Sequence, residues 1–349
     1  MLIADILMCL GVCYPRNKGN TLMSDIKLFK LTNGHAQELQ GSASDLEKPL
    51  QTLIEANLET LLSIRFLASE YSTGKTHGGR IDSLGLDENN CPVILEYKRS
   101  VGENVINQGL YYLDWLMDHQ AEFKFLVLDK LGKLASEAID WSAPRVICIA
   151  ADFTKFDSHA VQQIGQTIEL LRYRRFGEDL LLLESASASM DQSTKKISSK
   201  PQRPAFVRLE TIAEAPLAIS TSKPTGPDKA YVDVLAGLSA STRQLLDSLE
   251  DYTMSLGDDV ERKELRLYLA FKRLKNFATV VIHKKNCLVL YLHLDPAPAL
   301  QVLPKARDVT AIGHWGTGNL ELSIGSIAEL DAAKPFIFAA YTGERIVTT

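Results

Sequence analysis

The sequence predicts an α/β protein: a mixed β-sheet flanked by helices, followed by a smaller α+β domain. Helix-like and strand-like segments alternate through the first 184 residues, which favours a sheet covered by helices. A segment rich in Ser, Lys and Pro follows at residues 185–229, and regular patterning returns near Tyr231. We therefore predict a first domain over residues 23–184, a linker over 185–229 and an accessory domain over 230–349, an organisation that suits a chain of 349 residues.

The elements of the first domain follow from local patterns. The turn-forming pair Asn33-Gly34 joins short strands over 23–40. A helix follows, with Ser44 or Asp45 as its N-cap and an apolar stripe from Leu50 to Leu62. The remaining predictions are strands over 79–86 and 92–99, a helix over 103–119, strands over 123–129 and 145–151, a helix over 158–175 and a strand over 179–184.

The segments beyond residue 184 are assigned in the same way. A short strand is predicted at Ala205–Leu209 inside the linker. The predictions for the accessory domain are helices over 234–257 and 265–274 and strands over 278–283 and 287–294.

The first 22 residues contain a short apolar stretch followed by basic residues, which is the reverse of the order in a signal peptide. Met23 opens a segment typical of a strand start. We expect either that Met23 is the true start or that residues 1–22 form a poorly ordered extension.

Composition and charge restrict the classes of function. The chain is 46% hydrophobic and 23% charged, as in soluble globular proteins, and its apolar runs are shorter than the roughly 18 residues of a membrane span. A net charge of −5 argues against a generally basic protein that coats nucleic acid. We expect a cytoplasmic protein whose contacts with nucleic acid depend on local basic patches or on metal ions.

The cysteines predict free thiols, because their count is odd and their spacing is scattered. They are Cys9, Cys13, Cys91, Cys148 and Cys287. The spacing of His283, His293 and His314 does not suit a metal site.

Residues 78–100 carry the most informative pattern. Alternation along the predicted strand VILEYKR places Ile94, Glu96 and Lys98 on one face. A loop over 87–91 would set the hairpin register, which gives the pairs Leu86 with Pro92, Leu84 with Ile94 and Asp82 with Glu96.

Two opposed carboxylates repel each other, so they require a divalent cation between them or a proton on one of them. Carboxylate oxygens suit Mg²⁺, and a neighbouring lysine suits metal-assisted cleavage of a phosphodiester. The alternative is that Asp82 caps a turn while Glu96 and Lys98 form a solvated pair on an edge strand.

This pattern resembles the D…E-x-K signature of the PD-(D/E)XK, or restriction-endonuclease-like, nuclease superfamily, and within it the NucS-like endonuclease group. The residues that carry the resemblance are Gly79-Arg80-Ile81-Asp82, Glu96-Tyr97-Lys98 and Gln108, within residues 44–130. Many superfamily members have a proline before the Asp, where this chain has Arg80-Ile81.

The resemblance implies a nuclease that uses Mg²⁺ or Mn²⁺ to hydrolyse DNA. Asp82 and Glu96 would ligate the ion, and Lys98 would assist the attacking water. Glu47 would support the metal shell, and Gln108 would orient the site or the backbone. On the helix that carries Glu47, Glu55 and Glu59 are alternatives to it.

We also expect that the chain can form a homodimer. Several basic residues are candidates for contacts with nucleic acid. The candidates are Arg80, Arg99, Arg172, Arg174 and Arg175. The segment RYRRFG, which contains the last three, is predicted at a helix end, where its charges could instead interact with the helix dipole.

The C-terminal part has its own resemblance. Residues 231–342 resemble an uncharacterised domain family described as "predicted transport protein", through LYLAFKRLKNF and IGHWGTG. Two other functions stay open: a nucleic-acid-binding protein with a relic nuclease site, and an adaptor that acts through this domain.

Overall fold

The computed structural model describes residues 26–43, 47–74, 78–98, 105–164, 168–186, 230–283, 287–312, 314 and 316–346. Several predictions lie outside these residues: those on residues 1–22, on the caps Ser44 and Asp45, on Arg99 and on the strand at 205–209.

The described helices, in chain order, are α1 (Glu47–Ala56), α2 (Leu58–Leu62), α3 (Val105–Asp118), α4 (Gln120–Leu131), α5 (Lys133–Glu137), α6 (Lys155–Ile164), α7 (Tyr231–Ala236), α8 (Ala240–Met254), α9 (Ala297–Val302) and α10 (Ile327–Thr342). In the part of the chain that the structure describes, no helix is long and apolar enough to cross a bilayer.

The described strands are β1 (Leu28–Thr32), β2 (His35–Leu39), β3 (Gly41–Ser42), β4 (Ile64–Ser72), β5 (Arg80–Asp87), β6 (Pro92–Lys98), β7 (Arg145–Ala150), β8 (Ile168–Phe176), β9 (Leu180–Ser185), β10 (Glu261–Glu264), β11 (Leu269–Lys272), β12 (Asn276–His283), β13 (Cys287–Leu292), β14 (Ala306–Asp308) and β15 (Leu320–Ile324).

A seven-stranded mixed sheet flanked by helices forms the first domain, as predicted. Its order is β3-β8-β7-β6-β5-β4, and the seventh strand, β9, also pairs with β8. Strands β6, β7 and β8 are parallel to one another. Helices α1 and α2 pack on one face of the sheet, and α3 and α4 pack on the other. Gly109 lets α3 approach closely, since a Cβ there would lie 2.5 Å from Val146 Cγ1.

The β5–β6 hairpin has the predicted register, with Leu86 paired to Pro92 and Leu84 paired to Ile94. Asp87 sets the loop length, because its Oδ1 accepts hydrogen bonds from the backbone N–H groups of Asn89 and Cys91 at 2.9 and 2.8 Å. A second turn is also as predicted: Asn33 and Gly34 join β1 to β2, both with positive φ.

Three predicted elements are wrong, and each error concerns an apolar run that fits either a helix or a strand. Residues 123–129 form part of α4 instead of a strand. The predicted helix over 158–175 is α6 followed by β8, so RYRRFG lies in a strand. The predicted helix over 265–274 contains β11. Strand β4 was not predicted.

The helical assignment of residues 123–129 can be tested with one pair of variants. A strand would place Phe123 and Phe125 on the same face, whereas in α4 Phe123 is 1% exposed and Phe125 is 71% exposed. We expect Phe123→Ala to lower the free energy of unfolding by about 3–5 kcal/mol. Phe125→Ala should change it by less than about 0.5 kcal/mol. Urea unfolding measures both, and equal losses would contradict the helix.

A separate, six-stranded antiparallel sheet forms the C-terminal domain, in the order β10-β11-β12-β13-β15-β14, with α8 and α10 on one face. It contacts the first domain at the amino ends of β6, β7 and β8. Lys272 Nζ donates to Glu169 Oε2 at 2.8 Å, and the Tyr268 hydroxyl donates to Asn89 Oδ1 at 2.9 Å. The contact therefore lies at the end of the sheet where β6 begins, opposite the end that contains its carboxyl terminus.

The described cysteines are free thiols, as predicted: Cys91 and Cys148 are buried, and Cys287 is half-buried.

Candidate active site

Asp82 and Glu96 lie together where the β5–β6 ladder ends. The last backbone pair is Ser83 with Leu95, and beyond it the side chains join the two strands. The Asp82 N–H donates to Glu96 Oε1 at 3.2 Å, and the Tyr97 N–H donates to Asp82 Oδ2 at 3.0 Å. Each carboxylate is thus fixed by the backbone of the opposite strand.

The environment of this pair disfavours two negative charges. Glu96 is fully buried, and its Oε2 has no hydrogen-bond partner among the described residues. Burial, followed by the negative charge of Asp82, raises the pKa of Glu96 to about 8. Burial also raises the pKa of Asp82, against the opposing effects of the Tyr97 N–H and the Lys98 charge. The pair therefore favours a proton or a cation.

Lys98 supplies a positive charge next to the pair. It lies two residues beyond Glu96 on the same face of β6, and its charge lowers the pKa values of both Asp82 and Glu96. Across the sheet, Lys98 pairs with Ala150, which pairs with Arg172. The two cationic side chains thus share a face, two strand spacings or roughly 10 Å apart.

Helix α1 faces the start of β5. The side-chain amide nitrogen of Gln51 lies 2.8 Å from the Asp82 carbonyl oxygen. The charge of Glu47 is one of the smaller causes that raise the pKa of Asp82. Glu55 accepts a hydrogen bond of 2.6 Å from Ser83 Oγ, on the other face of β5. Of the two α1 carboxylates proposed from the sequence, Glu47 has a charge that acts on Asp82, whereas Glu55 is bonded to Ser83.

The remaining alternative to Glu47 is Glu59, which lies on α2, where its charge acts on Arg65.

Gln108 is linked to β5 through the Tyr112 side chain. Its side-chain amide donates to the Tyr112 hydroxyl at 3.2 Å, and that hydroxyl accepts from the Arg80 N–H at 3.2 Å. Gln108 is therefore linked to the backbone of β5 through the Tyr112 hydroxyl.

Arg99 lies outside the described residues, and the four described basic residues that were predicted do not form one patch. Arg172 and Arg174 point to the face of β8 that Lys98 shares, and Arg175 points to the opposite face. Arg172 lies 4.0 Å from Asp152, and Arg174 donates to the Ile26 carbonyl at 3.4 Å. Arg80 pairs with Glu70 at 2.6 Å.

Two residues near the pair were missed by the sequence analysis. Gln51 could have been found, because it is a polar residue one helical turn after Glu47 and lies within the apolar stripe. Glu70 lies on β4, a strand that was not predicted, so no local pattern pointed to it.

Whether these residues suit a divalent metal depends on the donors available. Within the described ranges, no group of three or more His, Cys, Asp or Glu side chains is arranged to hold a metal ion. Mg²⁺ is commonly bound by one or two carboxylates together with substrate phosphates and water. Asp82 and Glu96 fit that mode of binding, since Glu96 Oε2 has no hydrogen-bond partner in the described part of the chain.

The pH dependence of stability provides a test of the buried carboxyl. The pKa of Glu96 is about 8 in the folded chain against an ordinary value of 4.5, so its contribution to stability falls as the pH rises from about 4.5 to 8. The slope should approach about 1.4 kcal/mol per pH unit. We expect Glu96→Gln to remove this slope in urea unfolding with EDTA present. The same slope in both proteins would exclude Glu96 as its source.

Comparisons with known proteins give the following similarities. Residues 232–342 match the family model for a domain of unknown function, DUF5655. An uncharacterized protein of Haemophilus influenzae (strain ATCC 51907 / DSM 11121 / KW20 / Rd) is 30% identical over 310 residues, which are 88% of this chain and 96% of that protein.

Two solved structures were also found. A repair endonuclease from Pyrococcus abyssi is 18% identical, with a TM-score of 0.25 over 38% of this chain and 48% of that one. A structure of an EndoMS–dsDNA2 complex is 19% identical, with a TM-score of 0.23 over 38% and 46%. The chain thus spans about half the length of these two structures.

Proposed function

This chain belongs to the family of the uncharacterized Haemophilus influenzae protein, and we propose that its function is metal-dependent hydrolysis of phosphodiester bonds in DNA. One observation carries the proposal: among the described residues, the buried Glu96 Oε2 has no hydrogen-bond partner, and it lies next to Asp82 and two residues before Lys98. A solvated edge-strand pair, the alternative, would not explain a fully buried Glu96 in a strand with neighbours on both sides.

The residues of the chain have distinct roles in this proposal. Asp82 and Glu96 would hold Mg²⁺ or Mn²⁺, and the bound ion would polarise the phosphate and lower the pKa of a water molecule. Lys98 orients the attacking water and offsets the negative charge that develops on the phosphate. Glu47 adds negative charge near the pair, and Gln51 holds the Asp82 carbonyl, which fixes the backbone of the first ligand.

The experiment is a cleavage assay on the full chain after dialysis against EDTA. Labelled duplex, single-stranded and branched DNA, and a matching RNA, are incubated with Mg²⁺ or Mn²⁺. We expect cleavage of at least one DNA substrate when an ion is added, and none with EDTA. Preference for RNA would correct the substrate class.

Calorimetry with Mn²⁺ separates an active site from a relic. We expect binding that Asp82→Asn and Glu96→Gln each remove. Absence of cleavage would overturn the proposal, and Mn²⁺ binding unaffected by these changes would favour a non-catalytic role.

A further inference from the structure

Glu70 joins two exposed cations beside the carboxylate pair. Lys48 Nζ lies 2.8 Å from Glu70 Oε1, and Arg80 Nε lies 2.6 Å from Glu70 Oε2. The three residues, here named the cation bracket, come from α1, β4 and β5. The bracket therefore ties three elements together next to the candidate site.

The position of Glu70 in the sheet brings the cation bracket to Asp82. The β4–β5 ladder pairs Ser69 with Ser83 and Tyr71 with Ile81, so Glu70 lies opposite Asp82. Glu70 has a φ of 53°, a left-handed conformation that is uncommon and costly for a residue other than glycine. Its charge raises the pKa values of both Asp82 and Glu96.

Lys48 connects the bracket to the backbone of the site. Its Nζ donates to Gln51 Oε1 at 3.1 Å, and the amide nitrogen of Gln51 contacts the Asp82 carbonyl. A shift of Lys48 would therefore act on the position of Asp82 through one intermediate side chain.

Stability does not account for this arrangement. Lys48 and Arg80 are 59% and 69% exposed, and ion pairs at such exposure contribute little to folding. A third carboxylate beside Asp82 and Glu96 adds repulsion, and the left-handed backbone adds strain. Two fixed cations that face solvent next to a phosphodiester site are suited to bind a further phosphate.

We propose that the cation bracket is a second phosphate-binding subsite, in which Glu70 is a positioning residue that holds Lys48 and Arg80 for the phosphate adjacent to the cleaved one. The inference rests on the proposed function, since it assigns the neighbouring contact of the same substrate. Lys48 and Arg80 bind the nucleic acid, and Glu70 fixes their positions relative to Asp82.

Direct binding tests the two cations. Affinity of the full chain for a fluorescein-labelled DNA duplex is measured by anisotropy in EDTA over a series of salt concentrations. Lys48→Met and Arg80→Met should each reduce the slope of log K against log salt by about 0.9. Lys305→Met is the matched control, because Lys305 is also 59% exposed and pairs with Glu329 at 2.6 Å.

Kinetics test Glu70 itself. Glu70→Gln removes a negative charge, so KM should stay unchanged or fall. The released cations lose their fixed positions, so kcat should fall by roughly 10- to 100-fold. A residue that only stabilised the fold would not give this split, and Glu329→Gln should leave both constants unchanged. Circular dichroism and thermal unfolding establish that each variant is folded.

The outcomes separate the inference from the proposed function. Suppose that the wild type cleaves DNA. Unchanged salt slopes in Lys48→Met and Arg80→Met, or an unchanged kcat in Glu70→Gln, would then overturn the phosphate-subsite proposal and leave the proposed function intact. Equal slope losses in Lys48→Met and Lys305→Met also overturn it. If the wild type cleaves nothing, the proposed function fails, and the salt slopes still decide whether the bracket binds phosphate. A wild type that does not bind DNA at low salt overturns both.

Discussion

Asp82→Asn should lower kcat/KM for metal-dependent DNA cleavage by at least about 10³-fold, equivalent to about 4 kcal/mol of transition-state stabilisation. The substitution keeps the size of the side chain, and the amide oxygen can still accept the Tyr97 N–H that now bonds to Asp82 Oδ2. It removes the negative charge that we propose for holding the divalent ion. Single-turnover cleavage with Mg²⁺ or Mn²⁺ measures the loss.

Lys98→Met separates metal binding from catalysis at the same site. The methionine keeps most of the apolar stem but removes the cation, so cleavage should fall by about 10²- to 10⁴-fold while Mn²⁺ binding is kept. Ser83→Ala is the control: Ser83 follows Asp82 directly, but its hydroxyl bonds to Glu55 on the other face of β5. It should cleave within a few-fold of the wild-type rate. Wild-type rates in Asp82→Asn or Lys98→Met would contradict the assignment.

The pairing of Asp82 with Glu96 could be predicted because it depends on local information. The loop after β5 is short, Asp87 fixes its length through its own side chain, and the register of the hairpin follows from that length. The same logic could not reach Glu70. Its position depends on pairing between β4 and β5, on a backbone irregularity, and on cations from two other elements.

The errors in the elements have a related cause. In residues 123–129 and 168–176 the hydrophobic runs fit a helix or a strand, and only the neighbouring layers decide between them. Helix α4 buries Phe123 and Val127, four residues apart, and leaves Phe125 exposed. Residues 168–176 pair with β7 on one side and β9 on the other, contacts that no local window contains. Tertiary pairing thus overrides local propensity.

The contact between the two domains was also hidden in the sequence, where Arg145 reads as an ordinary charge at a strand start. It is 2% exposed and donates to Asp87 Oδ2 at 2.9 Å and to Glu169 at 2.7 and 2.8 Å. Lys272 of the C-terminal sheet binds the same Glu169. A buried ion pair is costly to break, because the partner left behind is an uncompensated charge.

Arg145→Met should therefore lower the free energy of unfolding by about 3–5 kcal/mol in urea titrations at neutral pH. Arg307→Met is the matched control, because Arg307 is 43% exposed in its pair with Glu321 and should lose at most about 1 kcal/mol. Lys272→Met should be destabilising too. Its effect should not add to that of Arg145→Met, because both cations neutralise Glu169.

Acid should reduce the difference in the free energy of unfolding between the wild type and Arg145→Met. Burial alone would raise the pKa of Glu169, but the charges of Arg145 and Lys272 hold it well below its ordinary value of 4.5. The stability from this pairing is therefore present above about pH 4.5 and is lost as the pH falls toward the lowered pKa. A loss in Arg145→Met no larger than in Arg307→Met, or one that does not shrink in acid, would show that this network does not hold the two sheets together.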